Sequence, residues 1–581
     1  MIISLHNDIS NILKSCFDKL TEEEDVRIND DFIRTYPHYG YTQAWSIITT
    51  ITTINPTAED IEFVIGFRRS FPYSIPDIYY FDTKYDYLPH IDSQTRKLCL
   101  FNEDVVHNVH DPYALIKIAI NKAKDLIIKG SQLLNIRHFK DEIRDYWRIP
   151  YGKEKHITHA YIHTIDINTE TKYVKLCTSS YIRNIGLEAC IIEPDKNGKY
   201  PEYIEYIKSN DKRNFIERDI LFLSSVEIPD TPPYNITTDI FLRWIKNDND
   251  KKAFKRYINK PSNTHTIIFK LSDTLLAGIN YNRINANRNG YRPGSLTNYY
   301  IISNIEKHKP IERFFAAEYS ATRIAMRTKG EEQKHYKITI AGLGSVGSYL
   351  CGLLNSLNSP DFTLIDPDIM FIDNLGRHLL GFNYLNTYKS DAMQMYIKSI
   401  NPNQITHSFH EKVEDYIINN ISTINDNDGL FLCTGNTMSE LFIYQKINDQ
   451  QISIPVFILW LEPYAIAGHM IYIGSQSDQI LKDLLYTPTG IYRYNLIEDE
   501  EYDSKSFTKK DAGCCGNYTL YSSNDVVLFL SSMYPIICGL LNKKETSTLC
   551  YRWIGDTNIA HRNNIKLKND IKSYEVEEIK I

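Results

Sequence analysis

The chain has 581 residues, of which 43% are hydrophobic and 24% charged, with a formal net charge of −7. That length exceeds what one hydrophobic core organises and predicts about two to four domains. The acidic balance supplies no polybasic footprint, which excludes nucleic acid from the expected partners.

The first residues, MIISLHNDISNILKSCF, lack a basic start and carry Asn and Asp, so they do not read as a signal peptide. The ten cysteines are scattered singly apart from Cys514–Cys515, and no CxxC pair occurs, so neither a zinc knuckle nor a disulfide scaffold is indicated. The expected location is cytoplasmic, where thiols stay reduced. Residues 4–22 carry Leu, Ile and Phe at helical spacing. Three strand-like runs follow, Ala44–Ile54, Glu62–Arg68 and Ile78–Phe81, and the prolines of Phe71-Pro72-Tyr-Ser-Ile-Pro76 force a turn between the last two. A helix is predicted from Asp111-Pro112 onward, and a second, amphipathic one near His138–Arg148. Between Leu98 and Leu100, Cys99 taken by itself reads as a small buried hydrophobe.

The order of helix, three-strand meander, FPxxxP turn, Leu88-Pro89-His90 and Leu98-Cys99-Leu100 resembles the ubiquitin-conjugating enzyme fold. The resemblance implies an α+β domain over residues 1–150 with Cys99 as the thioester-forming cysteine. Pro89-His90 stands where that family has Pro-Asn, so its supporting Asn is absent. His90 or a backbone N–H is then the candidate to stabilise the tetrahedral intermediate.

Residues 151–325 are predicted as a mixed α/β linker domain. Strand-like runs (GKEKHITHAYIHTIDI, YVKLCTSS, EACIIEP and HTIIFKL) are separated by turn-rich intervals such as PDKNGKYPEY and PDTPPYN. Cys177 and Cys190 read as core residues. The basic loop RINANRNGYRPGS has the composition to meet a carboxylate or phosphate, and equally that of an ordinary exposed loop.

The densest pattern lies between Lys337 and Arg377. An apolar run, Ile338–Ala341, leads into Gly342-Leu-Gly344-Ser-Val-Gly347 and a helical segment, and a second strand-like run ends on Asp366. This is the grammar of a nucleotide-binding βαβ unit, with phosphate at the helix start and Asp366 on a ribose hydroxyl. To that point an NAD-linked dehydrogenase fits equally well. The residues that follow, Asp366-Pro-Asp368 and Asn374-Leu-Gly-Arg377, resemble the adenylation domain shared by ubiquitin-activating enzymes and sulfur-carrier adenylyltransferases of the ThiF/MoeB type. Lys389, on a run closing at Asn401-Pro402, extends the match. The resemblance implies a Rossmann-like domain over residues 326–581 that binds ATP, with Asn374, Arg377 and Lys389 around the phosphates. It also implies Mg2+, but Cys433-Thr434-Gly435-Asn436 lacks the family's metal-binding Asp, leaving Asp368, Glu462, or ATP and water to complete the site.

Activating enzymes add a cysteine on the segment after the sheet. Cys514, or secondarily Cys515, follows the polar loop IEDEEYDSKSFTKKDAG and is flanked by glycine, as an accessible nucleophile would be. The apolar run Val526–Leu541 is interrupted by Ser531, Ser532 and Pro535 and falls short of the roughly 20 residues of a bilayer span, so a buried helix and no membrane association are expected.

A conjugating-like N-terminus joined to an activating-like C-terminus resembles the fusion proteins of bacterial CBASS anti-phage operons. The resemblance implies that the C-terminus of a cGAS-like nucleotidyltransferase is adenylated, carried on Cys514 and then Cys99, and conjugated to a target lysine amine. The resemblance to the adenylation family also implies a homodimer, with Arg323 or Arg327 reaching across. The alternatives are a sulfur-carrier-type adenylyltransferase whose N-terminal domain only docks, and a catalytically silent nucleotide sensor.

Overall fold

The computed structural model describes every residue except 1, 53–57, 84–87, 93–94, 102–105, 133, 149–159, 231–234, 293, 332–333, 358–359, 475–480, 489, 505–506, 511–516, 544, 570 and 581. The chain divides into two compact units, one formed by Met1–Glu193 with Ile216–Glu318, the other by Pro194–Phe215 with Tyr319–Ile581. It is a mixed α/β multidomain protein.

The first unit begins with an α+β layer. Helix α1 (Ile2–Leu20) buries Ile9, Leu13, Cys16 and Leu20, a single stripe at helical spacing. The antiparallel sheet runs in the order β1 (Asp25–Ile28), β2 (Tyr41–Thr52), β3 (Ala58–Arg68), β4 (Asp77–Tyr79). The expected meander therefore has a fourth, edge strand, whose DVRI sequence buries only Val26 and is too short and charged to show a period. A short helix, α2 (Asp30–Thr35), is capped by Asn29. Helix α3 (Pro112–Ser131) starts where Asp111 caps the Ala114 N–H at 3.0 Å and Pro112 needs no hydrogen-bond donor. Its buried Leu115, Ile116, Ala119, Ile120, Ala123 and Ile127 pack with α1 on Trp45, Ile47, Phe63, Ile65 and Phe67 of the sheet. The expected second helix is two short ones, α4 (His138–Asp141) and α5 (Ile143–Arg148).

Seven strands of the linker region close into a barrel: β5 (Ala160–His163), β6 (Lys172–Thr178), β7 (Leu187–Ile192), β8 (Ile216–Leu223), β9 (Thr264–Ser272), β10 (Leu275–Asn282) and β11 (Glu312–Glu318), in the order β10-β11-β5-β7-β6-β8-β9. Val174, Leu176, Ala189, Ile191, Phe222, Leu276 and Phe314 are packed in one cluster. The Phe314 ring presses on Gly278, where a Cβ would lie 2.1 Å from it. Cys177 and Cys190 are buried partners across β6 and β7. The Trp147 indole N–H of α5 donates to the Phe314 carbonyl at 2.6 Å and joins the α+β layer to the barrel.

Between β7 and β8 the chain crosses into the second unit. Its helix there, Glu202–Asn210, sets Tyr203 edge-on to Tyr319 at 5.3 Å and Glu202 3.4 Å from Lys398.

The second unit is built on an eight-stranded sheet. Its strands are β12 (Lys337–Ala341), β13 (Asp361–Ile365), β14 (Thr406–Phe409), β15 (Gly429–Leu432), β16 (Val456–Leu461), β17 (Ala467–Ile473), β20 (Thr548–Ile554) and β21 (Val576–Ile579), with a separate hairpin, β18 (Thr508–Lys510) and β19 (Asn517–Thr519). The sheet order is β14-β13-β12-β15-β16-β17-β20-β21, parallel through β16 and antiparallel beyond it. Ile338, Ile340, Phe362, Leu364, Leu430 and Phe431 are fully buried, as a parallel sheet covered on both faces requires. The chain steps outward from β12 to β14, then returns to the other side of β12 as β15. That reversal opens a crevice at the carboxyl ends of β12 and β15. Helices α6 (Ser345–Leu354) and α7 (Lys389–Ile400) flank it. Helix α8 (Ser523–Lys543) is, among the described residues, the one helix long and apolar enough to cross a membrane. It buries Val526, Phe529, Leu530, Met533, Ile537, Leu540 and Leu541 in the same core cluster as β12, β13 and α6.

Candidate functional site

The glycine turn after β12 is shaped by backbone crowding. Gly342 has φ +83, and a Cβ on it would lie 2.7 Å from the Cys433 and Thr434 backbone. A Cβ on Gly347 would lie 1.8 Å from the Gly342 carbonyl oxygen. Gly344 differs, because no atom lies within 4 Å of where its Cβ would be. It borders a cavity of 320 Å³, together with Ser345, Asn374, Arg377, His378, Lys389, Thr434, Gly435, Trp460, Thr519 and Tyr521. Glycine at 342 and 347 lets the chain pack, whereas glycine at 344 leaves open space beside the amino end of α6.

Two groups grip the Leu343 peptide at the centre of this turn. The Asp366 carboxylate accepts its N–H at 2.6 Å, and the His378 Nε2–H donates to its carbonyl at 2.7 Å. The His378 Nδ1 accepts from the Leu380 N–H at 3.0 Å, so the imidazole is neutral. Its pKa is pushed down to about 4, chiefly by burial. Asp366 is 4% exposed, and its other oxygen accepts the Asp368 N–H at 2.8 Å. Burial raises its carboxyl above the usual range, against the pull of Lys389 and those two N–H groups. The residue expected on a ribose hydroxyl thus lies behind the turn, with only its remaining lone pairs to offer.

The cations come from the two expected positions. Lys389, buried in the first turn of α7, pairs with the exposed Asp368 at 2.7 Å. Arg377 donates to the Thr519 carbonyl at 3.1 Å and stands 5.7 Å from the Tyr521 ring, whose hydroxyl bonds Ser345 at 2.7 Å. Asn374 turns its side-chain oxygen onto the Phe371 N–H at 2.9 Å and closes a short 3₁₀ turn. Sequence reasoning missed His378; its signal was a histidine set between Arg377 and the buried Leu380.

No group of three or more potential metal ligands occurs among the described residues. Glu462, one of the acids considered for magnesium, is 2% exposed and accepts from the Leu496 N–H at 2.7 Å, the Ile497 N–H at 3.0 Å, His469 at 2.6 Å and Tyr502 at 3.3 Å. Four donors make it an anchor for the chain after β17 instead. Asp368 is held by Lys389, and Gly435 has φ +60. These residues do not assemble a protein-only magnesium site. A second cavity of 290 Å³ shares Gly435, Trp460 and Leu461 with the first and is otherwise lined by Tyr486, Tyr492, Asn495 and Tyr502 among others.

Cys514 and Cys515 lie outside the described residues. Thr519, four positions after Cys515, borders the first cavity.

In the α+β layer, Cys99 is exposed, in contrast to the six buried cysteines and the half-buried Cys538 among those described. A lone cysteine between two leucines would be expected in the core, but here Leu98 points inward at 3% exposure and Cys99, the next residue, outward. The segment is held down by the Leu98 N–H on the Ile78 carbonyl and the Cys99 N–H on the His90 carbonyl, each 2.8 Å. Lys122 caps the Leu100 carbonyl at 3.2 Å. His90 has φ +63. Its N–H donates to Glu142 at 3.2 Å, its Nδ1 pairs with the same carboxylate, and its Nε2 lies 3.0 Å from His138 Nδ1. Both ring nitrogens of His90 are thus engaged, and neither is left over for an oxyanion. Sequence reasoning missed Glu142 and His138, although their i,i+4 spacing on a predicted helix was the signal.

Fold and site together define two modules, a Rossmann-like adenylation domain and an E2-like domain. The ThiF family model, which describes ATP-dependent adenylating enzymes, matches residues 319–489, and the prokaryotic E2 family B model matches residues 30–154. Among solved structures, PaaA is similar at 13% identity and TM-score 0.31, over 50% of this chain and 86% of that one. MccB of E. coli with MccA-N7isoAsn is similar at 11% and 0.27, over 42% and 64%. The E. coli tRNA N6-threonylcarbamoyladenosine dehydratase TcdA, in complex with AMP, is similar at 16% and 0.27, over 39% and 93%. A search of curated proteins finds no match.

Proposed function

We propose that this protein is an ATP-dependent ubiquitin-like transferase. It adenylates the C-terminal carboxylate of a partner protein, carries the acyl group as a thioester on Cys514 and then Cys99, and conjugates it to a lysine amine. The observation that carries this reading is the joint presence, in one chain, of a glycine-turn cavity bordered by Arg377 and Lys389 and of an exposed Cys99 in an E2-like module.

The chemistry follows from the residues. ATP fits the cavity with its phosphates beside Gly344 and the N–H groups opening α6. The carboxylate oxygen attacks the α-phosphorus, an acyl–oxygen–phosphorus bond forms, and the bond to pyrophosphate breaks. Arg377 and Lys389 neutralise the charge that accumulates in that step, and Asn374 shapes the turn that presents Arg377. The adjoining aromatic-lined cavity gives the carboxylate's own chain a place to approach. Magnesium in this scheme is held by nucleotide phosphates and water, with no protein cluster. The thiolate of Cys514 displaces AMP, transthiolation moves the acyl group to Cys99, and the amine takes it with release of the thiol. The partner is proposed to be a cGAS-like nucleotidyltransferase in anti-phage defence, with the enzyme a cytoplasmic homodimer.

The Cys99→Ala variant tests the relay. With ATP and a cGAS-like nucleotidyltransferase supplied as the carrier, the variant should retain ATP–pyrophosphate exchange and accumulate a reducible thioester on Cys514, with no isopeptide product. Unchanged conjugation would sink the relay and leave the N-terminal module a docking element.

A further inference from the structure

Aminolysis of a thioester has a requirement that the relay so far leaves unmet. The attacking amine must shed a proton as the N–C bond forms, and a lysine arrives as an ammonium ion. Beside Cys99 lies a cluster that is more elaborate than loop support needs. Glu142 takes both the N–H and the Nδ1 of His90, and the His90 Nε2 meets His138 Nδ1 at 3.0 Å. With Glu142 ionised, His90 carries its proton on Nδ1 and accepts at Nε2. His138 must then donate from Nδ1, and in its neutral form its Nε2 keeps a lone pair. His138 is exposed, and among the described residues nothing else bonds its ring. The opposite end of the cluster is tied to the nucleophile, because the His90 carbonyl accepts the Cys99 N–H at 2.8 Å. That bond ties the cluster to the nucleophile's own segment, so the His138 Nε2 is held within roughly 15 Å of the Cys99 Cα.

We propose that Glu142, His90 and His138 form a relay whose exposed end, His138 Nε2, takes the proton from the amine attacking the Cys99 thioester. The inference rests on the proposed function above. The lysine ammonium first gives one proton to solvent; as the resulting amine nitrogen bonds to the acyl carbon, its second proton passes to His138 directly or through one water, the C–S bond breaks, and its electron pair leaves on Cys99 Sγ. His90 and Glu142 are positioning residues: they set the tautomer of His138 and hold it beside the loop. The holding also explains why His90 keeps its left-handed backbone, since its N–H and ring are fixed to one carboxylate.

The test bypasses the activating half. Full-length protein carrying Cys514→Ala and Cys515→Ala is loaded with a fluorescein–Gly-Gly thioester of mercaptoethanesulfonate, and the label on Cys99 is checked against Cys99→Ala. Discharge onto free L-lysine is then followed in a single turnover. His138→Ala and His138→Gln should load normally and discharge about 100-fold more slowly, the usual weight of a general base. Added imidazole should restore part of the rate to His138→Ala, which a purely structural histidine would not allow. Discharge within about twofold of the parent, or a loss that imidazole leaves untouched, overturns the relay while the transferase reading stands. Failure of the parent's Cys99 to load or to pass its label to lysine overturns both.

Discussion

Gly344 and Gly347 stand three residues apart in one turn, and the surroundings of their missing Cβ atoms predict opposite failures. At Gly344 no atom lies within 4 Å of an added Cβ, and its φ of −72° is outside the left-handed region, so Gly344→Ala should leave the folding stability of the free protein within about 1 kcal/mol of the parent. The methyl group would occupy space that the phosphates need. ATP at 100 times its Kd stabilises the parent by about 2.7 kcal/mol, and each tenfold loss of affinity removes about 1.4 of that. A hundredfold loss therefore erases nearly the whole ligand-induced shift in melting temperature. At Gly347 the Cβ would fall 1.8 Å from a backbone oxygen that no rotamer change can move aside, so Gly347→Ala should cost about 1–3 kcal/mol before any ligand is added. Thermal melts of the two variants, with and without ATP, separate the effects. A Gly344→Ala protein that keeps the full ATP shift would refute the placement of phosphate at this turn.

Three further outcomes follow from the site. His378 has its folded pKa at about 4, below its ordinary unfolded value near 6.5, so its neutral form stabilises the fold fully above 6.5 and that stability is lost as pH falls through 4. The loss amounts to about 3 kcal/mol, and chemical denaturation across this window should show a shallower slope in His378→Gln. Lys389→Met should lower ATP–pyrophosphate exchange by about 100-fold or more while shifting stability little, because the Asp368 side chain it abandons is 66% exposed. Glu462→Ala strips four donors of a buried carboxylate and should destabilise the protein by about 3–5 kcal/mol, with the magnesium dependence of exchange unchanged in the protein that remains folded.

What the sequence displayed depended on whether the physical cause was local. Gly347 answers to crowding inside one turn and Gly342 to its own left-handed φ, and the capping pair Asp111-Pro112 announces α3, so these were legible. The parallel strands β12, β13 and β15 read as apolar runs because both of their faces are covered. The barrel was visible only in fragments. Its closure depends on parallel pairings of β5 with β7 and β11, and of β8 with β9, between segments far apart in the chain. The acids were the hardest to read. Asp366, Asp368 and Glu462 look alike in sequence, yet one fastens a peptide, one holds a lysine and one anchors a distant segment. Burial and partner made the difference, and neither is a property of the residue type.

The excursion of residues 194–215 out of the barrel region bears on any attempt to separate the two units genetically. A gene fragment starting at Tyr319 would encode the adenylation sheet without the helix Glu202–Asn210, stripping Tyr319 of its Tyr203 neighbour and Lys398 of Glu202. The reciprocal fragment would retain that helix with nothing of its own to pack on. Neither half of this protein is a contiguous stretch of DNA. Recombination that shuffles one unit away from the other must therefore make two cuts or leave a damaged core, a reason for the two to be inherited together.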